Sequence, residues 1–224
     1  VQVLEGFRRI APDEGLIAPL SKKTMPWLPG NELYGEGIFI RLKEEKVSEW
    51  EYKNAARYKN LVKRANDNFF AERKIADGNI RYILLHTLAH LLIRELTMQC
   101  GYTSASIKEK IYSSENDEKK MCGILIYTAS SDSDGSLGGL ARQGVPEKIR
   151  DTVFSMIENA SWCSNDPICI DSKSQGYASL NHAACHACAL LPETSCECSN
   201  ILLDRGAIVG ISEDKTCGYF SDLI

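Results

Sequence analysis

The sequence predicts a mixed α/β (α+β) fold, with an apolar central helix packed on strands and a cysteine-rich lobe closing the C-terminal end. Three observations carry this expectation. Residues Ile83 to Leu96 are apolar on nearly every side at helical spacing, as a helix buried in a core requires. Two runs, Gly37 to Leu42 and Met121 to Ala129, are β-branched and aromatic in content and read as strands. Six of the nine cysteines fall within residues 163–198, a density that a packed apolar core alone does not explain.

Composition narrows the class. The chain has 224 residues, 44% hydrophobic, 25% charged and 8% aromatic, the proportions of an ordinary globular protein. At this length about 70% of the unfolded surface can be buried, so a core does not depend on disulfides. No apolar run approaches the roughly 20 residues of a membrane span and no signal peptide opens the chain, so a cytoplasmic location is expected. With 26 basic and 30 acidic side chains the net charge is −4, so DNA contact must come from a local patch.

Taken in order, Val1 to Ile10 alternates like a strand, and Pro12, Pro19, Pro26 and Pro29 then break any helix, giving an irregular arm over residues 1–35. After the strand at Gly37, residues Val47 to about Lys74 turn helical, with Trp50, Leu61, Val62, Ala65 and Phe69 on one face. Lys53, Arg57, Lys63 and Arg64 fall where they can reach solvent. The apolar helix spans about residues 80–99, with Gly101 as its stop and a shorter helix capped by Ser104 or Ser106 running through Lys110. The nearly continuous apolar run Gly123 to Tyr127 predicts a strand covered on both faces. A glycine-rich loop follows from Ser130 to Leu140, and Pro146 opens a helix to about Asn159. Residues Ile201 to Ile211 form an element whose type the pattern leaves open.

The cysteines carry the clearest chemistry. Cys163 and Cys169 are spaced C-x5-C, Cys185 and Cys188 C-x2-C, and Cys196 and Cys198 follow. A C-x2-C turn presents two sulfurs to one ion, and Asp166-Pro167 favours a turn that brings the first pair together. The expected ligands are Cys163, Cys169, Cys185 and Cys188, around one zinc ion. Cys196 stands as the first substitute, with His182 and His186 behind it. Four thiolates leave no open coordination position, so this zinc is expected to be structural.

Three other patterns could carry chemistry. His86 and His90, one turn apart, would suit a metalloprotease, but Thr87 stands where its glutamate belongs and no third ligand is evident. The pair is therefore expected to be metal-free, at least partly buried, and hydrogen-bonded near the glycine-rich loop. That loop sits where phosphate loops sit, yet no glycine in the chain is followed by lysine, and Asp132 and Asp134 would repel a phosphate. Finally, Asp204, Glu213 and Lys215 have the D-x8-E-x-K spacing of Mg²⁺-dependent nucleases, which is the alternative functional class.

Several of these segments together resemble the MrfA-type zinc-binding (MZB) domain family. They are Leu85-His86-Thr87-Leu88-Ala89-His90, Asp134-Gly135-Ser136-Leu137-Gly138-Gly139-Leu140 and Trp162-Cys163 through Ile168-Cys169. The likeness continues through Asn181-His182-Ala183-Ala184-Cys185-His186-Ala187-Cys188, Cys196-Glu197 and Leu203-Asp204-Arg205, covering about Glu36 to Gly210. The resemblance implies an MZB-like domain over residues 36–224, with a zinc module at about 160–200 formed on the same four cysteines. It also implies kinship with helicase-associated members in DISARM anti-phage defence. The function it implies is a non-enzymatic accessory domain that partners a superfamily 2 helicase and aids its engagement of DNA, within a longer parent protein.

Overall fold

A computed structural model describes residues 2–7, 18–32, 34–68, 71, 79–114, 120–128 and 138–223. In the N-terminal arm, four two-residue strands pair antiparallel, β1 (Gln2–Val3) with β4 (Gly30–Asn31) and β2 (Gly6–Phe7) with β3 (Ala18–Pro19). None of the arm's described side chains enters the main core.

The core begins at β5 (Gly37–Arg41), which with β6 (Ile107–Ser114) and β7 (Met121–Thr128) makes an antiparallel sheet of order β5-β7-β6. Side chains alternate across a strand, and here Ile38, Ile107, Ile111, Cys122, Ile124 and Ile126 point to the buried side. Leu125 and Tyr127 remain partly open on the other face, so β7 is covered on one face and not on both as its apolar run predicts. On that open face Phe39 lies over Gly123, against the edge of Tyr112 at 5.7 Å. A Cβ at Gly123 would sit 2.8 Å from the Phe39 ring and 3.1 Å from the Ile40 carbonyl, so the aromatic cover requires glycine there.

Among the described residues the α-helices are three longer ones and one short turn: α1 (Glu44–Asn66), α2 (Arg81–Cys100), α3 (Pro146–Ala160) and α4 (Gly206–Val209). α1 ends at Asn66, short of the expected Lys74, and Phe69 lies outside the described residues. α2 matches its expected span and stops at Gly101, whose φ of 73° is the left-handed conformation of a helix C-cap. Pro146 opens α3 as predicted.

α2 is buried along most of its length because the sheet, α3 and the C-terminal lobe each cover part of it. The charged residues at its two ends are paired. Arg81 bridges Glu44 and Glu51 of α1 at 2.8 Å each, and Glu95 accepts from Gln99 and from Asn159 of α3. Leu92→Ala, which empties a fully buried site at the centre of this helix, should cost about 2–5 kcal/mol. Urea unfolding of the two proteins at one zinc concentration checks this.

The predicted helix from Ser104 through Lys110 is a correction. A single 3₁₀ turn spans Ser104–Ser106, and Ile107 begins strand β6. The Ile107/Ile111 spacing with Lys-Glu-Lys between mimics a helix turn, but pairing with β7 over eight residues overrides that local preference.

The region 201–211, left open by its pattern, is irregular chain and turns with α4 inside it. Among the described residues, no helix is long and apolar enough to cross a membrane.

Candidate metal centre

The C-terminal lobe has little regular structure, and its shape is set by turns that aim sulfur atoms inward. Cys163 follows the end of α3. The Asp166 carboxylate accepts the backbone N–H groups of Cys163 at 2.9 Å and Ile170 at 3.0 Å, closing the C-x5-C loop around itself. The Asp166–Pro167 peptide within it is cis. In the C-x2-C turn the N–H groups of Cys188 and Ala189 both return to the Cys185 carbonyl, at 3.1 and 2.9 Å.

These two turns bring Cys163, Cys169, Cys185 and Cys188 together, with every Sγ within 4.8 Å of the others. The resolved separations are 3.6 Å for Cys163–Cys185, 3.7 Å for Cys169–Cys188 and 3.6 Å for Cys185–Cys188. A tetrahedral zinc with bonds of about 2.3 Å needs sulfur–sulfur edges of about 3.8 Å, so the four atoms fit such an ion. A disulfide would need about 2.05 Å, and all nine cysteines are free.

The surroundings are those of thiolates. The N–H of Cys185 donates to Cys188 Sγ at 3.3 Å, and Asn165 Nδ2 donates to Cys185 Sγ at 3.4 Å. The Cys188 thiol, with help from Gln175, holds Cys169 down at about 5, while Cys188 itself is pushed up. Without a cation, the four sulfurs cannot all ionise beside one another. Fully buried Arg205 supplies a positive charge nearby, donating to the Ala160 carbonyl at 2.8 Å and to Asp166.

The substitutes weighed for this site lie elsewhere. His186 is exposed, and His182 stacks on Tyr58 at 5.4 Å. Cys196 belongs to a second cluster. There His86 and His90 of α2, Glu109 of β6 and Cys196 are all buried, with one ligand atom each inside 4.8 Å of the others. The histidine pair is thus buried as expected, but it meets Glu109, Cys196 and the Ala189 carbonyl, not the glycine-rich loop. Burial would raise the Glu109 carboxyl, yet the two imidazoles hold it well below the usual carboxylate range. Burial would also lower His90, and the Glu109 charge outweighs it, so His90 is raised.

The glycine-rich loop, including Asp132 and Asp134, lies largely outside the described residues; its last turn is described. There the amides of Gly138, Leu140 and Ala141 converge on the Glu36 carboxylate at 2.7, 3.0 and 2.9 Å. This nest of donors would suit a phosphate, and the protein's own glutamate occupies it.

The residues of the nuclease pattern are in different settings. Asp204 is fully buried; its Oδ2 accepts from Arg57 and Tyr58, both at 2.7 Å, and its Oδ1 from the N–H of Gly206 at 2.9 Å. Burial would raise its pKa, while His182 and Arg57 keep it well below the carboxylate range. Glu213 and Lys215 are exposed. A carboxylate whose oxygens are bonded inside the fold is not available to Mg²⁺.

The basic patch is also thinned. Arg57 is not a solvent-facing base but the partner of Asp204, with a side chain only 12% exposed. Arg64 donates to the Ser179 and Lys173 carbonyls, and Arg94 to that of Ala187 at 2.8 Å. These three arginines fasten the lobe to α1 and α2. Sequence reasoning missed this use, and it also missed Glu36 and Glu109; reading Ile107-x-Glu109-x-Ile111 as period two would have placed Glu109 inside.

Residues 88–189 match the family model of the MrfA Zn-binding domain, MZB, a segment that contains all four clustered cysteines. Over 207 residues the chain is 40% identical to DISARM protein DrmB of Bacillus paralicheniformis, an alignment covering 88% of this chain and 36% of that protein. The chain thus spans about a third of the length of that relative. Residues 88–189 are thus similar to the MrfA Zn-binding domain, within a longer stretch similar to DISARM protein DrmB.

Proposed function

We propose that this chain is a non-enzymatic accessory module, braced by zinc on Cys163, Cys169, Cys185 and Cys188, that partners a superfamily 2 DNA helicase in cytoplasmic anti-phage defence. The observation that carries the reading is the closed sulfur tetrahedron. Four thiolates leave zinc no position for water or substrate, so the centre holds turns in place and does no chemistry on a ligand. The similarity to a DISARM protein supports the defence setting.

The helicase supplies nucleotide hydrolysis in this reading, and two features of the chain support that division. A phosphate site needs convergent donors, a lysine or arginine on the developing charge, and a held Mg²⁺. The amides of Gly138, Leu140 and Ala141 are filled by Glu36, and no glycine-lysine pair exists to begin such a site.

DNA affinity of the chain alone should be weak and salt-sensitive. Of the six bases Lys53, Arg57, Lys63, Arg64, Arg94 and Arg142, three are engaged within the fold, and Lys53 pairs with Glu49 at 3.0 Å. With about two phosphates neutralised, log K should fall against log salt with a slope near −1.8. Titration of a labelled duplex at several salt concentrations, with and without the co-expressed helicase, measures this. The complex should bind far more tightly than the chain, co-purify with it, and carry all of the ATPase. Tight, salt-independent binding, ATPase activity, or Mg²⁺-dependent cleavage by the chain that Glu213→Ala abolishes would contradict the proposal.

A further inference from the structure

The buried cluster of His86, His90, Glu109 and Cys196 lies outside the four-cysteine site, and its hydrogen bonding is incomplete. His90 Nδ1 is 2.8 Å from the Ala189 carbonyl, which can only accept, so this nitrogen carries the proton. In a neutral imidazole the other nitrogen, Nε2, is then a bare lone pair. It faces Glu109 Oε1 at 3.3 Å, a second acceptor, and makes no hydrogen bond. Glu109 Oε2 and His86 Nδ1 are likewise buried without partners. Buried polar atoms are nearly always satisfied, and two lone pairs facing one another call for a cation between them, either a proton or a metal ion.

The donor set has the composition of a metal site. His86 Nε2 is 2.9 Å from Glu109 Oε1 and 3.2 Å from Cys196 Sγ. A tetrahedral zinc with nitrogen, oxygen and sulfur ligands has edges of about 3.3–3.6 Å, within a few tenths of these separations. Cys196 Sγ accepts the backbone N–H groups of Cys198 at 3.3 Å and Asn200 at 3.2 Å, the same N–H to sulfur pattern found around the first four cysteines. One thiolate, one carboxylate and two neutral imidazoles sum to −2, so a divalent ion leaves a neutral centre, the form least costly to bury. His90 bonded to a carbonyl through its far nitrogen is also the usual way a protein orients a metal-binding imidazole.

We propose that His86, His90, Glu109 and Cys196 bind a second, structural zinc ion. It ties α2 to β6 and to the lobe, and through Ala189 it adjoins the C-x2-C turn of the first site. The expectation of a metal-free histidine pair rests on the missing glutamate base and on the lack of a third ligand. Glu109 is that ligand, brought in by the strand that its sequence disguised as a helix.

The test is metal analysis with zinc K-edge X-ray absorption on the purified full chain. Two zincs per chain are expected, with sulfur to nitrogen-plus-oxygen ligands in the ratio five to three. One zinc with an all-sulfur shell would overturn the second site and leave the first standing, as would a hydrogen-bonded network held only by protons. No zinc in folded protein would overturn both. His90→Gln should lose one zinc and leave an all-sulfur shell; if it folds and still holds two, the assignment is wrong. Should that variant fail to fold, the wild-type stoichiometry and ligand ratio decide alone.

Discussion

Cys188→Ser, and equally Cys185→Ser, should yield insoluble or partly unfolded protein, the largest loss expected of any single change in this chain. The lobe from Cys163 to Cys198 is built mostly of turns, so the geometry around the cysteines rests on short-range hydrogen bonds, on packing of the lobe against the core, and on the ion the sulfurs can share. Structural zinc binding is worth on the order of 10 kcal/mol or more, comparable with the whole stability of a domain. Serine removes a thiolate from a site that has no spare ligand nearby, since Cys196 faces the other cluster and His186 points to solvent. Circular dichroism and soluble yield, each with and without a strong chelator, measure the effect. A folded, soluble Cys188→Ser protein with wild-type thermal stability would count against a structural role for the site.

The second large effect is expected at Asp204. Its carboxylate holds Arg57, Tyr58 and the N–H of Gly206, while its own N–H donates to Thr87 Oγ1 at 3.0 Å, so one residue joins α1, α2 and the lobe. Asp204→Ala leaves the Arg57 guanidinium uncompensated in a site where the side chain is only 12% exposed. Breaking a buried pair by removing one partner costs about 3–5 kcal/mol. The double variant Asp204→Ala/Arg57→Ala should lose less than the sum of the two single variants, because the orphaned charge goes with its partner. Additive losses in urea unfolding would show that the pair is not coupled. The same variant bears on the nuclease pattern, since a structural Asp204 predicts lost stability with no DNA-cleaving activity to lose.

How much of this was legible depends on the range over which each signal acts. The clustering of the four cysteines was readable because their pairing is local: each pair closes a short turn, and Asp166-Pro167 announces one of them. The ends of α2 and α3 were readable for the same reason, a glycine that takes φ of 73° and a proline at the first turn. What could not be read depends on partners far away in sequence. Arg57 looks like a solvent-facing base until Asp204 is folded against it. Glu109 looks like a helix-forming residue until β6 pairs with β7 and turns it toward His86 and His90. The open outer face of β7 was hidden by Leu125 and Tyr127, apolar residues that are only half covered.

The central claim, that zinc on Cys163, Cys169, Cys185 and Cys188 holds the fold, is tested most directly by metal analysis of folded protein before and after chelation. At least one tightly held zinc per chain is expected, and its removal should unfold the lobe, with refolding when zinc is returned. Folded, soluble chain that contains no zinc, or that keeps its structure after every zinc has been removed, would contradict it.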